Sequence, residues 1–468
     1  MKIKPNILLI MPDQMRGDCI GLDGHPNLIT PNIDTIANGC CFKRAYSTCP
    51  SCIAARRSLL LGQYPSTSGS VGFATPGYDT PTLPYFLSKA GYYSALVGRH
   101  MHQNPATGES PGYDTCILGS TYVEGDSYAD MLNKEVPLLG GIRGLGVGFN
   151  GWQAKSWPLE EHLHPTNWIV RNSRELIAKH NDDQALFLTT SFYAPHPPLI
   201  PPDFYYQRYL NMNLPDRVIG DWAGPAPLKS KVDSPRVDLK EEKLHMTQAA
   251  YYGLINHIDD QLTWLIADFI GKSRNQKRPW IIVFTSDHGE MLGDHYYFRK
   301  CEPFEGSCRI PFLINSEGLG QKTNVTINST VCLEDILPTL LDLADIPVPD
   351  QIDGISLASI LRGEADSVRH WLHCEHSPCY SEEQAFQMLT DGIWKYIWRP
   401  MTGEELLFNL NNDPTELKNL AEESSAIEKL EECRNEMINR LRSRPENFVV
   451  HDKLKELPKT YPPIMKGK

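Results

Sequence analysis

The feature that most constrains this 468-residue chain is a recurring unit, a short, largely apolar run that ends in a cluster of ionisable residues. Ile7 to Met11 leads to Asp13, Tyr92 to Val97 leads to Arg99, His100 and His102, Ala185 to Ser191 leads to His196, and Trp280 to Thr285 leads to Asp287 and His288. A strand that is apolar at successive positions is buried on both sides, so these runs read as strands of a sheet covered by helices on both faces. Helical patterns separate them. Thr30-Pro31 supplies an N-cap and an N1 proline for a helix through Ala37, and Thr82 to Ala90, Trp168 to Lys179 and Ala249 to Ile270 have helical spacing. Gly62 reads as a helix stop. The expected fold class is α/β. In open α/β sheets ligands bind beyond the strands' carboxyl ends, so the four polar clusters are expected to meet at one site.

Two stretches, Gly140 to Pro165 and the proline-rich Leu214 to Lys240, lack periodicity and are expected to be surface loops that wall a pocket. After Leu361-Arg362-Gly363 the pattern changes to short strand candidates at Gln387–Leu389 and Trp394–Trp398, then a charged helix from Ser424 to Arg442. The expected division is a large catalytic α/β domain over residues 1–365 and a smaller C-terminal α+β subdomain over 366–468. In that subdomain Glu375, His376, Trp398 and Arg399 read either as pocket rim or as ordinary surface residues.

Fifty-seven acidic residues outnumber 45 basic ones for a net charge of −12, which opposes nucleic acid and anionic membranes as partners while allowing a local basic pocket. The first apolar run is too short for a signal peptide, and no segment approaches the roughly 20 apolar residues of a membrane helix, so a cytoplasmic location is expected. Twelve cysteines include a single CxxC spacing, Cys49 to Cys52, with no second pair. That indicates neither a zinc ribbon nor a disulfide scaffold, and leaves a redox pair as an alternative.

Ser51-Cys52-Ile53-Ala54-Ala55-Arg56 reads as a loop entering a helix, with Cys52 near its N-terminus and Arg56 one turn later. Free amides and the helix dipole there favour an anion and lower a thiol's pKa. The same residues also read as a small buried cysteine and a solvated arginine. Asp13 with Asp287 and His288 offers two carboxylates and an imidazole, which suits Ca²⁺, Mg²⁺ or Mn²⁺ more than zinc, or alternatively two helix caps. His196, in the stiff Ala194-Pro195-His196-Pro197-Pro198 loop, and His100 or His102 are candidate acid–base groups, or surface histidines. Lys300, following His295 in a polar and aromatic stretch, reads by itself as a solvated lysine.

These residues carry a resemblance. Cys52-Ile53-Ala54-Ala55-Arg56 through Leu59-Leu60-Leu61-Gly62 resembles the signature of the type I sulfatases of the alkaline phosphatase superfamily. The similarity extends through Pro5 to Asp13, Pro195-His196-Pro197, Ser286 to Glu290 with Lys300, Asp353 to Leu357, and Leu407 to Pro414. It implies an alkaline-phosphatase-like catalytic domain and hydrolysis of a sulfate monoester, on a sulfated carbohydrate or an aryl ester, through a formylglycine hydrate made from Cys52. It further implies Arg56 as stabiliser of that nucleophile, His196 as leaving-group acid, Lys300 as sulfate contact, and one divalent cation. Ca²⁺ is expected first and Mn²⁺ or Mg²⁺ next, held by Asp13, Asp287, His288 and the modified Cys52. The C-x-A-x-R form is similar to sites accepted by the anaerobic radical-SAM maturase, which implies that partner in a bacterial cytoplasm.

The chain departs from the family pattern at three places. Gln14 stands where a second aspartate ligand is usual, and is expected to complete the metal shell through its amide oxygen. His288 stands where many sulfatases have asparagine. Both features resemble phosphonate monoester hydrolases of the same superfamily, which supply the alternative reading; a catalytically dead binding protein is a third. In Gly98-Arg99-His100-Met101-His102, Arg99 replaces the family's lysine, and Met101 falls at the strict histidine spacing. His102 is expected to serve as the catalytic histidine.

Overall fold

The computed structural model describes residues 3–74, 77–78, 81–102, 111–120, 125–226, 231 and 233–463. Its centre is an eight-stranded sheet of β1 (Asn6–Asp13), β2 (Cys40–Tyr46), β3 (Tyr92–Gly98), β4 (Thr115–Leu118), β5 (Ala185–Pro195), β6 (Trp280–Thr285), β7 (Phe312–Glu317) and β8 (Val325–Cys332). The spatial order is β4-β3-β5-β1-β6-β7-β2-β8. All strands run one way except β7, which is antiparallel to both β6 and β2. The fold is the α/β sheet with helices on both faces that the apolar runs imply.

The alternation of side chains along β1 shows why the run must be apolar throughout. Leu8 and Ile10 enter one core with Ile169 of the helix Pro165–Lys179 and Ile255 and Leu262 of the helix Glu241–Asn275. Ile7, Leu9 and Met11 enter the opposite core with Leu59 and Leu60 of α2 (Cys52–Leu61), which follows the short α1 (Pro31–Ile36), and with Leu337 and Leu340 of the helix Ile336–Leu343. At roughly 1.5–3 kcal/mol for each large apolar side chain fully buried, a charge substituted at either set would remove several kcal/mol. β3, β5, β1 and β6 are consecutive parallel neighbours, so their carboxyl ends lie side by side.

A second sheet follows, with β9 (Leu372–His376), β10 (Phe386–Thr390), β11 (Trp394–Trp398) and β12 (Glu405–Asn409) in antiparallel order β12-β11-β10-β9. One face, with Leu389, Tyr396 and Leu407, packs on Leu430, Cys433 and Met437 of the helix Ile427–Leu441. The other, with Met388, Ile397 and Phe408, packs on Tyr46, Met291 and Phe304 of the large sheet's surroundings.

Residues 140–165 form the surface stretch expected, with only the short 3₁₀ turns Ile142–Leu145 and Glu161–Leu163, yet they are anchored: Trp157 and Leu163 are buried, and Lys155 and Trp157 donate backbone hydrogen bonds to Leu199 and Pro201. Sparse periodicity concealed a packed strap, because its anchors are single aromatic and aliphatic residues between short turns. Glu375, His376, Trp398 and Arg399 are buried, not surface residues. Glu375 is held by both guanidinium nitrogens of Arg444 at 2.9 and 2.7 Å. In the stretch 214–240, residues 227–230 and 232 lie outside the described residues, and Val237 and Leu239 are buried.

Candidate active site

Cys52 is the first residue of α2, reached from β2 through the extended Ser51, and Gly62 ends the helix at φ +63°. A Cβ at Gly62 would also sit 2.9 Å from Ile352, so glycine is required on both counts. Asp13 ends β1, and Asp287 and His288 follow β6. These segments bring Asp13, Cys52, Asp287 and His288 together with their ligand atoms all within 4.8 Å of one another and every side chain buried. The His288 Nδ1 lies 2.9 Å from the Gly289 carbonyl, to which its N–H donates, so Nε2 faces Cys52 Sγ at 3.1 Å. Burial opposes protonation of the ring, but Asp287 and Cys52 outweigh it and raise its pKa; a divalent cation would take the place of the Nε2 proton, beside two carboxylates and an oxygen or sulfur donor.

Cationic groups surround the cluster. Arg56 donates from Nη2 to Asp13 Oδ2 at 2.9 Å, from Nε to Asp287 Oδ2 at 2.8 Å and from Nη1 to Ser191 Oγ at 2.9 Å. Arg99, after β3, lies with Nε 2.8 Å from Asp13 Oδ2 and its guanidinium 4.8 Å from the Tyr193 ring centre. Lys300 Nζ donates to Cys52 Sγ at 3.2 Å and to Gln14 Oε1 at 2.9 Å, and lies 2.8 Å from His196 Nε2. Gln14 is thereby turned to Lys300, and its amide nitrogen donates to Glu290.

The electrostatics follow from burial and these neighbours. Burial, reinforced by the adjacent Asp287, raises the Asp13 carboxyl above its usual range against Arg99 and Arg56. Asp287 goes the other way: burial opposes its ionisation, but His288 and Arg56 outweigh it and hold the carboxyl well below its usual range. Burial and Asp13 likewise oppose a Cys52 thiolate, and Lys300, His288 and Arg99 outweigh them to lower its pKa. His196 is driven well below the usual imidazole range by burial, then by Lys300 and Arg99. Its Nδ1 hydrogen bonds to the Pro197 carbonyl at 2.7 Å, so the free protein presents a neutral ring with Nε2 toward Lys300.

His100 and His102 lie beside one another, with ring centres 4.9 Å apart. His100 Nδ1 accepts from the His102 backbone N–H at 2.9 Å, whereas the buried His102 Nε2 has no hydrogen-bond partner among the described residues. Burial followed by Arg99 holds both rings neutral, with His100 lowered to about 3. Every sequence candidate thus lies at or beside one centre. Sequence reasoning passed over Ser191 and Tyr193, although both follow the β5 apolar run, and it did not separate Glu290 from its motif as a partner of Gln14.

The family model described as "Sulfatase" matches residues 5–346, and "N-sulphoglucosamine sulphohydrolase, C-terminal" matches residues 293–444. The chain is 36% identical to an arylsulfatase of Clostridium perfringens, over 97% of each chain. The phosphonate monoester hydrolase of Agrobacterium radiobacter is similar in structure, with a TM-score of 0.80 at 24% identity over 94% of this chain and 96% of that one. So is BT4656, solved with its substrate D-glucosamine-2-N,6-O-disulfate, with a TM-score of 0.76 at 19% identity over 94% and 98%.

Proposed function

The chain belongs to the sulfatase family and is a sulfuric ester hydrolase, and from that premise we propose that it hydrolyses the sulfate monoester of a carbohydrate, or of an aryl alcohol, through a formylglycine hydrate at position 52. The observation that carries this reading is the convergence of Cys52 with three buried ligand residues and three cationic side chains. A maturase of the radical-SAM type is proposed as the partner that oxidises Cys52.

Asp13, Asp287, His288 and the oxygen that replaces the Cys52 sulfur are proposed to hold one divalent cation, Ca²⁺ ahead of Mn²⁺ or Mg²⁺, with Gln14 as a further oxygen donor. When bound, that ion lowers the pKa of the nucleophilic hydroxyl and offsets the sulfate charge. Arg56 fixes both carboxylates through its fork, and Arg99 bears on Asp13 from another side. Lys300, whose Nζ lies 3.2 Å from Cys52 Sγ, is proposed to meet a sulfate oxygen and the nucleophile together. One hydroxyl of the hydrate, its proton given up to water, attacks sulfur, the S–O bond to the alcohol breaks, and the ester oxygen leaves with a proton. His196 is the proposed proton source: burial, then Lys300 and Arg99, depress its pKa, and the negative charge of the entering sulfate offsets the two cations. The second hydroxyl then loses its proton, the C–O bond to sulfate breaks and the aldehyde is restored, to be hydrated again by water. His102, whose Nε2 has no partner among the described residues, is the proposed second histidine of the site.

Leaving-group dependence tests the His196 role. His196→Ala is expected to slow alkyl or sugar sulfates by roughly 10²- to 10⁴-fold and nitrophenyl sulfate far less, because a phenolate departs unaided. Equal losses on both would make His196 a sulfate-binding group. Exhaustive chelation should remove turnover and re-addition of one equivalent of cation should restore it; undiminished activity in the chelated protein contradicts a catalytic metal. Paired assays on nitrophenyl sulfate and a phenylphosphonate ester separate the sulfatase from the phosphonate hydrolase reading, which Gln14 and His288 keep in view.

A further inference from the structure

A cavity of about 480 Å³ lies between the proline-rich segment after Leu214, the segment that carries Lys300, and the loops of the small sheet. Its size falls within the roughly 300–1,000 Å³ of small-molecule sites. Trp222, Tyr297 and Tyr380 supply aromatic surface, and each ring is held by a stacking partner. Trp222 stacks on Phe304 with centres 4.3 Å apart, the Arg236 guanidinium lies 4.9 Å from the Tyr297 ring centre, and that of Arg299 lies 4.0 Å from Tyr380. Rings fixed in this way meet a ligand without losing rotamer freedom.

The charges that line the cavity cancel or run slightly acidic. Arg236 and Arg399 stand against Glu302, Glu383 and Glu404. Arg399 is itself engaged, 3.3 Å from Glu302 and 3.3 Å from Glu404, while the other Glu302 oxygen accepts from Gln384 at 2.8 Å. Arg236 packs on Tyr297 and donates to the Gly224 carbonyl, and with two arginines against three glutamates the described lining as a whole does not favour a second sulfate or a uronate. Planar carboxylate, amide and guanidinium groups set among rigid aromatic rings match the hydroxyls and apolar C–H faces of a neutral pyranose.

The cavity and the catalytic centre share one wall. Residues 299–302 place Arg299 on Tyr380, Lys300 on Cys52 and His196, and Glu302 in the cavity lining. We propose that this cavity binds an uncharged sugar unit adjoining the sulfated one, so that the substrate is a sulfated neutral oligosaccharide. This rests on the sulfatase reading above.

The test titrates the full chain by calorimetry with three uncharged, unsulfated disaccharides, lactose, cellobiose and N,N′-diacetylchitobiose, and with a glucuronate-containing disaccharide. Binding of at least one uncharged sugar is expected, about tenfold weaker in Ser381→Trp, which fills the cavity from an exposed position, and at least about fivefold weaker for the uronate. No binding by any of the three, binding indifferent to both Ser381→Trp and Tyr297→Ala, or a preference for the uronate each overturns the proposal. Circular dichroism melting of both variants excludes unfolding as the cause of lost binding. Nitrophenyl sulfate turnover by the same wild-type preparation tests the sulfatase reading separately, since sugar binding to the cavity does not require it.

Discussion

Cys52→Ala is expected to lower turnover of nitrophenyl sulfate by on the order of 10⁵-fold or more, with the fold retained. The side chain sits at the first position of α2, where alanine is helix-compatible, and it is small enough that its loss leaves little cavity. Its contacts are with Lys300, His288 and Asp13, which belong to the reaction centre and not to either hydrophobic core. The predicted result is a melting transition within a few degrees of wild type and no measurable catalysis. A variant that unfolds would make Cys52 a packing residue; one that turns over would place the nucleophile elsewhere.

Asp287→Ala should damage both chemistry and stability. Besides its proposed ligand role, Asp287 accepts from Arg56 Nε at 2.8 Å and, through its other oxygen, from the backbone N–H groups of Gln14 and His288 at 3.0 Å each. Alanine leaves a fully buried guanidinium with one carboxylate partner fewer and two buried amides without acceptors. Breaking one side of such a buried pair costs roughly 3–5 kcal/mol. The expected outcome is loss of the bound cation by metal analysis, at least about a 10³-fold loss of turnover, and a melting temperature lowered by several degrees. Asp287→Ala protein that keeps one equivalent of cation would remove Asp287 from the ligand set.

The site was legible in the sequence wherever a strand is buried on both faces. β1, β3, β5 and β6 announce themselves as largely apolar runs, and the residues at or just beyond their ends, Asp13, Arg99, His196, Asp287 and His288, are the ones that meet. The remaining strands of the large sheet were silent for physical reasons. β2 reads Cys-Cys-Phe-Lys-Arg-Ala-Tyr because Lys43 and Arg44 are only partly buried, and β8 carries Thr, Asn and Ser on a half-exposed edge. β7, antiparallel between β6 and β2, has an apolar start and a polar end that no strand pattern captures. Gln14 shows the limit for single side chains: its position beside Asp13 was evident, but its turn toward Lys300 and Glu290 depends on segments nearly 300 residues away. The cavity wall was hidden for the same reason, since Trp222, Tyr297 and Tyr380 come from three separate segments with no periodicity among them.

The central claim is that the residue at position 52 works as an aldehyde hydrate. Trypsin releases it in the peptide Ala45–Arg56, which also holds Cys49 as an internal control. Mass spectrometry of that peptide, from a preparation whose active fraction has been titrated, tests the claim most directly. The account predicts that the peptide takes up one alkyl group, at Cys49, and that position 52 has lost H₂S and gained one oxygen in proportion to the active fraction. A fully active preparation in which both Cys49 and Cys52 alkylate as thiols would contradict it.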